Sequence, residues 1–157
     1  PDGAAGATVV LPGAASGARW WPLDRWAVVV RRERDAGRRV VLTGGPGERA
    51  LTAALRDATN LPVAADLAGR TDVAGLAAVV GVAGRVVCGD TGVAHLATAL
   101  RTPSVVLFGP VSPAAWGPPA RPWHRVLWAG RAGDPHGEEP DPGLLAITVD
   151  DVARALD

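Results

Sequence analysis

An α/β fold, a parallel sheet covered by helices on both faces, is predicted for this 157-residue chain by two observations. Short β-branched apolar runs alternate with helix-length segments from Thr8 to Leu156, the spacing of a Rossmann-like domain. At the centre, Val86–Pro118 reads as strand, sharp turn, helix and strand, with Gly89-Asp90-Thr91-Gly92 at the first strand-to-helix junction. The length predicts one domain with a real hydrophobic core.

In chain order, residues 1–7 read as a linker or truncation edge, and Thr8–Leu11 as a first strand stopped by Pro12-Gly13. A small-residue loop runs from Ala14 to Trp21. Pro22, suited to a first helical turn, then opens a helix to about Ala36, ended by Gly37. Arg39–Thr43 is a β-branched strand, followed by Gly44-Gly45-Pro46-Gly47 and a helix over Glu48–Thr59. Pro62–Ala65 reads as a short strand, and Asp72 caps a helix to about Val82. Next come the strand Arg85–Gly89, a helix from Thr91 to about Arg101 and the strand Ser104–Phe108. His124–Trp128 is a last strand, Gly130–Gly143 a polar surface excursion, and Thr148 or Asp150 caps a closing helix to Leu156. Ligands in such sheets bind beyond the carboxyl ends of the strands, so the loops after Leu11, Thr43 and Gly89 are expected on one rim.

Composition narrows the function. Sixteen basic and sixteen acidic residues balance, and no basic block stands out, which disfavours nucleic-acid binding. Every basic residue is Arg, the usage of a GC-rich genome. The single Cys88 forms no internal disulfide, which fits a reducing cytoplasm, and on a core strand it reads as a buried inert thiol. The longest apolar run, Val73–Gly84, is too short and Gly-rich to span a bilayer, which leaves peripheral contact with a membrane open. Three scattered histidines have no metal-ligand spacing, so no metal site is expected, and His124 and His136 read as surface residues.

The chemistry concentrates at the Gly89–Gly92 turn. Backbone amides at a helix start, with the positive end of the helix dipole, suit phosphate oxygens or sugar hydroxyls. His95 reaches the same opening from one turn into the helix. Asp90 serves either as a helix cap or as an acceptor for sugar hydroxyls. Asp-Thr-Gly also marks aspartic proteases, but those need two copies in an all-β chain. Thr43–Glu48 is not a P-loop, since Gly-Lys-Ser/Thr is missing, nor is it Gly-x-Gly-x-x-Gly.

Taken together, Asp90-Thr91-Gly92, His95, Leu107-Phe108-Gly109-Pro110 and Trp116-Gly117-Pro118 resemble the C-terminal domain of the heptosyltransferases, glycosyltransferase family 9. Pro12-Gly13 through Arg19 and Trp20-Trp21-Pro22 resembles that family's first loop, with Arg19 at its basic position and Leu11 where the family has His. Thr43–Glu48 and Leu67-Ala68-Gly69-Arg70-Thr71 resemble two further family turns. The resemblance implies one half of a GT-B two-domain glycosyltransferase, residues 8–157 being the C-terminal donor-binding domain, and an N-terminal acceptor domain outside this chain. It implies an ADP-heptose-like donor, no cofactor, inverting transfer without a metal, and a role in cell-surface glycan or lipopolysaccharide synthesis at the cytoplasmic side. Donor-binding roles fall on Arg19 and the amides of Thr91 and Gly92 at the diphosphate, Asp90 and His95 at the sugar end, and Glu48 at the ribose. Trp116 is expected to buttress the site. No catalytic residue is assigned here: the base is expected on the acceptor domain, and this half alone is expected to transfer no sugar. A stand-alone nucleotide-binding module and a sugar-nucleotide epimerase of similar architecture stay open as alternatives.

Overall fold

A computed structural model describes residues 2–157, and its one sheet has five parallel strands. They are β1 (Thr8–Leu11), β2 (Val40–Leu42), β3 (Arg85–Gly89), β4 (Ser104–Phe108) and β5 (His124–Trp128), in the order β2-β1-β3-β4-β5. Neighbours pair in parallel, with Val9 opposite both Val41 and Val86, and Cys88 opposite Val106. The helices are α1 (Leu23–Asp35), α2 (Arg49–Ala58), α3 (Val73–Val82), α4 (Gly92–Ala99), the short α5 (Pro113–Trp116) and α6 (Pro142–Leu145), and α7 (Val149–Leu156).

The alternation of strand side chains builds two cores, one on each face of the sheet. Val10, Val87, Val105 and Leu107 face Trp26, Val29 and Val30 of α1, Leu55 of α2 and Val152 and Leu156 of α7. Val9, Leu11, Val86, Cys88, Val106 and Phe108 face Val79 and Val80 of α3 and Val93, Ala94 and Ala97 of α4. Strands buried on both faces read as continuous apolar runs, which is why their positions were predictable.

The helix starts follow capping chemistry. Asp72 accepts from Gly75 N at 2.7 Å at the start of α3, and Asp141 accepts from Gly143 N at 2.8 Å at the start of α6. Of the two candidates for α7, Thr148 is the cap: its hydroxyl accepts from Asp151 N, and Asp151 accepts in return from Thr148 N, a reciprocal box.

Several expectations need correction. Pro62–Ala65 is not a strand: Ala65 N donates back to Pro62 O, closing a 3-10 turn over Val63–Ala65, and a single bridge joins Leu42 to Asp66. Pro62 has no N–H to offer the edge strand β2. A separate 3-10 turn, Pro46–Glu48, precedes α2. Thr91 flanks α4, which ends at Ala99. His124 is buried rather than at the surface, because the β4–β5 register sets it opposite Ser104, with Nδ1 2.8 Å from Ser104 Oγ. Trp116 stands exposed on α5. Gly130–Gly143 is no free excursion: it folds back on the loop after β1, with Ala18 N donating to Gly137 O and Ser16 Oγ to Pro135 O. Of residues 1–7, Pro1 lies outside the described residues, while Asp2–Ala4 forms a 3-10 turn that buries Ala4 against α3.

Candidate functional site

The strand order reverses between β1 and β3, so the connections leaving them run to opposite faces and open a crevice at the carboxyl ends. A cleft of about 960 Å³ occupies that place. Four candidate residues line it, Glu48, Thr91, Gly92 and His95, together with Leu11 and Trp20 of the first loop. Val73 and Leu76 of α3 and Leu96 and Ala99 of α4 supply an aliphatic wall. A second cavity, about 600 Å³, follows the outer edge of β2 and contains none of the candidates.

Arg19 and Asp90 flank this cleft rather than line it. Arg19 Nη1 lies 3.7 Å from Asp90 Oδ2, an ion pair too long for a hydrogen bond. Arg19 Nε is buried and has no partner among the described residues. The guanidinium is thus held near a carboxylate, and none of its donors makes a hydrogen bond among the described residues. Asp90 is not a helix cap, since Thr91 takes the cap position of α4 and its own side chain accepts no amide.

At the start of α4, Ala94 N donates to Thr91 O at 3.0 Å, which leaves the amides of Gly92 and Val93 without an intrahelical acceptor. They lie at the positive end of the helix dipole, with His95 exposed one turn further on. Thr91 Oγ1 is buried and unpartnered. It sits near the Cys88 thiol but outside hydrogen-bond geometry; burial pushes that thiol up to about 12, against a smaller opposing pull from Thr91. Cys88 is inert at neutral pH, the reading its place on a core strand suggested.

Glu48 ties two loops together. Its carboxylate accepts from Gly45 N at 2.6 Å. It also lies so close to the first loop that a Cβ built on Gly13 would stand 1.8 Å from Glu48 Oε1. Gly13 and Gly44 make room for the carboxylate, which reaches the cleft from between them. Pro12-Gly13 read in the sequence as a strand stop; its role as space for Glu48 was missed, because it depends on a contact 35 residues away. Missed as well was the bracing of Arg19 by the segment before α6, which meets the Gly17–Arg19 turn through Asp141 N to Ala18 O at 3.1 Å. No group of three or more His, Cys, Asp or Glu that could hold a metal ion is found among the described residues, and no helix there is long and apolar enough to cross a membrane.

The model of glycosyltransferase family 9 (heptosyltransferase) matches residues 3–142. Lipopolysaccharide heptosyltransferase 1 of Pseudomonas aeruginosa is 37% identical over 114 residues, covering 69% of this chain and 30% of that protein. The solved ADP-heptose lipopolysaccharide heptosyltransferase II of E. coli superposes with a TM-score of 0.80 at 27% identity, over 97% of this chain and 45% of the other. An E. coli heptosyltransferase solved with ADP gives a TM-score of 0.78 at 26% identity, over 99% and 45%. The chain therefore spans less than half the length of these relatives.

Proposed function

The chain belongs to glycosyltransferase family 9, and we propose that it is the donor-binding domain of a two-domain enzyme that transfers a heptose-like sugar from an ADP-sugar. The observation that carries this reading is the convergence on one cleft of the free amides of α4, His95 and Glu48, with the uncommitted guanidinium of Arg19 beside it. A carboxylate repels phosphate and suits hydroxyls. Glu48 therefore takes the ribose and Asp90 the transferred sugar, while Arg19 and the amides of Thr91, Gly92 and Val93 take the diphosphate. The aliphatic wall of α3 and α4 receives the flat base. That an E. coli relative was solved with ADP supports the choice of nucleotide.

In the transfer, an acceptor hydroxyl attacks the anomeric carbon with inversion and the diphosphate leaves. Negative charge grows on the leaving oxygens, and the amides at the helix start, Arg19 and His95 offset it from fixed positions without calling on a metal. The base that takes the acceptor's proton belongs to the acceptor domain, the partner of this one, in an enzyme of lipopolysaccharide-type synthesis on the cytoplasmic side.

Titration of the chain with ADP and with adenosine tests the reading. Arg19→Ala is expected to weaken ADP by about 1.5–3 kcal/mol, the range of a charged hydrogen bond, and to spare adenosine. Equal losses for both ligands would mean that the substitution had damaged the loop, and Arg19 would then have no claim to the diphosphate.

A further inference from the structure

Resting on that donor-binding reading, we propose that Trp20 is a specificity-determining residue whose indole face packs on the sugar carried by the donor. Three tryptophans fall within seven residues, and two of them, Trp21 and Trp26, are 3% and 1% exposed, whereas Trp20 is 49% exposed. Its exposed surface faces the cleft. Trp20 is the one tryptophan in that lining, among the described residues.

The ring is fixed in place. Its Nε1–H donates to Ala14 O at 3.1 Å, across the loop that both residues share. The turn below it, Gly17–Arg19, is clamped by the distant segment before α6: Ser16 Oγ donates to Pro135 O at 2.7 Å, Ala18 N to Gly137 O at 2.9 Å, and Asp141 N to Ala18 O at 3.1 Å. Gly17 admits no side chain, since a Cβ there would stand 1.7 Å from Glu138 O. A large aromatic held in this way binds a ligand with little further ordering, which is what makes Trp an efficient anchor.

Its neighbours decide which part of the donor it meets. Arg19 precedes it directly, and Arg19 O lies 3.7 Å from where a Cβ on Gly89 would stand, so the Trp20 backbone runs beside the Gly89–Gly92 turn, the end of the cleft assigned to diphosphate and sugar. The base has its own wall in Val73, Leu76, Leu96 and Ala99. A pyranose ring carries C–H bonds on one face and hydroxyls around its edge. The electron-rich face of indole suits the first. His95, exposed in the same lining, is placed for the second, with Asp90 beside the cleft.

The test measures binding of ADP and of ADP-heptose to the chain and to Trp20→Phe and Trp20→Ala, with thermal melting as a control. Trp20→Ala is expected to weaken ADP-heptose about ten-fold and ADP by less than about two-fold, with Trp20→Phe in between and both variants melting near the parent. Equal losses for the two ligands would assign Trp20 to the nucleotide, and unchanged affinities would assign it to a protein surface; either overturns the proposal while the donor reading stands. Failure of the parent chain to bind ADP at all would sink the donor reading, and this proposal with it. Should Trp20→Ala fail to fold, Trp20→Phe decides alone, since a smaller ring over a sugar still weakens ADP-heptose more than ADP.

Discussion

Buried polar groups at the two ends of the sheet are treated in opposite ways. At the amino ends of the strands, Glu33 is fully buried, and each of its oxygens is used: Arg38 donates to both at 2.8 Å, Thr8 Oγ1 donates to one, and Arg85 Nε stands 3.8 Å away. His124 is matched to Ser104, and Thr102 Oγ1 donates to Val80 O at 2.9 Å. At the carboxyl ends, Arg19 Nε and Thr91 Oγ1 are buried without a partner among the described residues, and two amides of α4 stand open. A third unpartnered atom, Trp26 Nε1, lies in the core, where Trp21 packs edge-to-face on the ring, so the contrast is not absolute. An unsatisfied buried donor costs about 1–3 kcal/mol, and a ligand that bonded Arg19 or Thr91 would recover it. Polar groups at the amino ends are paired within the fold; on the donor-binding reading, those at the carboxyl ends are left for the ligand.

The largest effect expected from that contrast is on stability. Glu33→Gln keeps the shape and removes the carboxylate that two guanidiniums share. The loss should be about 3 kcal/mol, the low end for a broken buried pair, because Arg38 and Arg85 retain some access to water. Urea unfolding measures it, and ADP affinity of the folded variant should not change. The pH dependence has a definite sign. Burial alone would raise the Glu33 carboxyl, but the Arg38 and Thr8 hydrogen bonds and the Arg85 charge outweigh it and hold the group below its ordinary 4.5. Its stabilising contribution is therefore complete above pH 4.5 and disappears as pH falls through the lower folded value, because there the unfolded chain binds the extra proton. The variant should lose that acid slope. A Glu33→Gln protein as stable as the parent, or one with weakened ADP binding, would erase the distinction between the two ends.

How far the sequence displayed these two ends follows from the range of each interaction. All five strands were legible: β1 to β4, buried on both faces, leave local apolar runs, and the half-exposed edge strand β5 still carries Val126-Leu127-Trp128. So was the strand-to-helix turn at Gly89–Gly92, whose amides are placed by local geometry alone. The family motifs pointed to Arg19 and Glu48, but not to what holds them. Arg19 depends on the segment before α6, linked through Ser16 to a carbonyl 119 residues away, and a polar Pro-rich loop gives no sign of where it docks. His124 was misread for the same reason: burial of a strand's first residue depends on register with β4, which periodicity does not supply. The Pro62–Ala65 segment failed differently. Its β-branched content is too slight to decide between a strand and a turn, and the missing amide of Pro62 decided it.

A middle-sized effect sharpens the carboxyl end. Gly13→Ala puts a methyl group where Glu48 Oε1 now lies, and the flexible carboxylate will give way before the backbone does. Stability should change little, while ADP and adenosine both weaken by about 1.5 kcal/mol, the low end for a hydrogen bond to a charged group, because ribose is common to them. Glu48→Gln should give the same pattern, and the double variant should lose little more than either single one. Additive losses, or a Gly13→Ala variant that binds ADP like the parent, would detach Gly13 from Glu48 and leave the carboxylate as a brace between loops.

The smallest effect returns to the amino end. Burial depresses the His124 imidazole from its ordinary 6.5, so the folded chain holds it neutral where the unfolded chain has begun to take up a proton. The unfolded state then binds more protons in that window, and stability must rise with pH across it. The contribution of His124 is present above 6.5 and is lost as pH falls from there toward the folded value. Arg125, Asp151 and Arg154 line the neighbouring cavity, with Asp151 engaged by Thr148 and Arg154, and burial alone accounts for the depressed imidazole. Urea unfolding at about pH 7.5 and about pH 5.5 should show the parent weaker at the lower value and His124→Asn with a shallower difference, whatever its absolute stability. The Ser104→Ala variant separates hydrogen bond from burial: it should lower stability at both pH values and leave the slope in place, because the slope comes from taking an imidazole out of water and not from its partner. If His124→Asn keeps the parent slope, the acid sensitivity belongs to another group, and His124 is a packing residue whose protonation the fold does not resist.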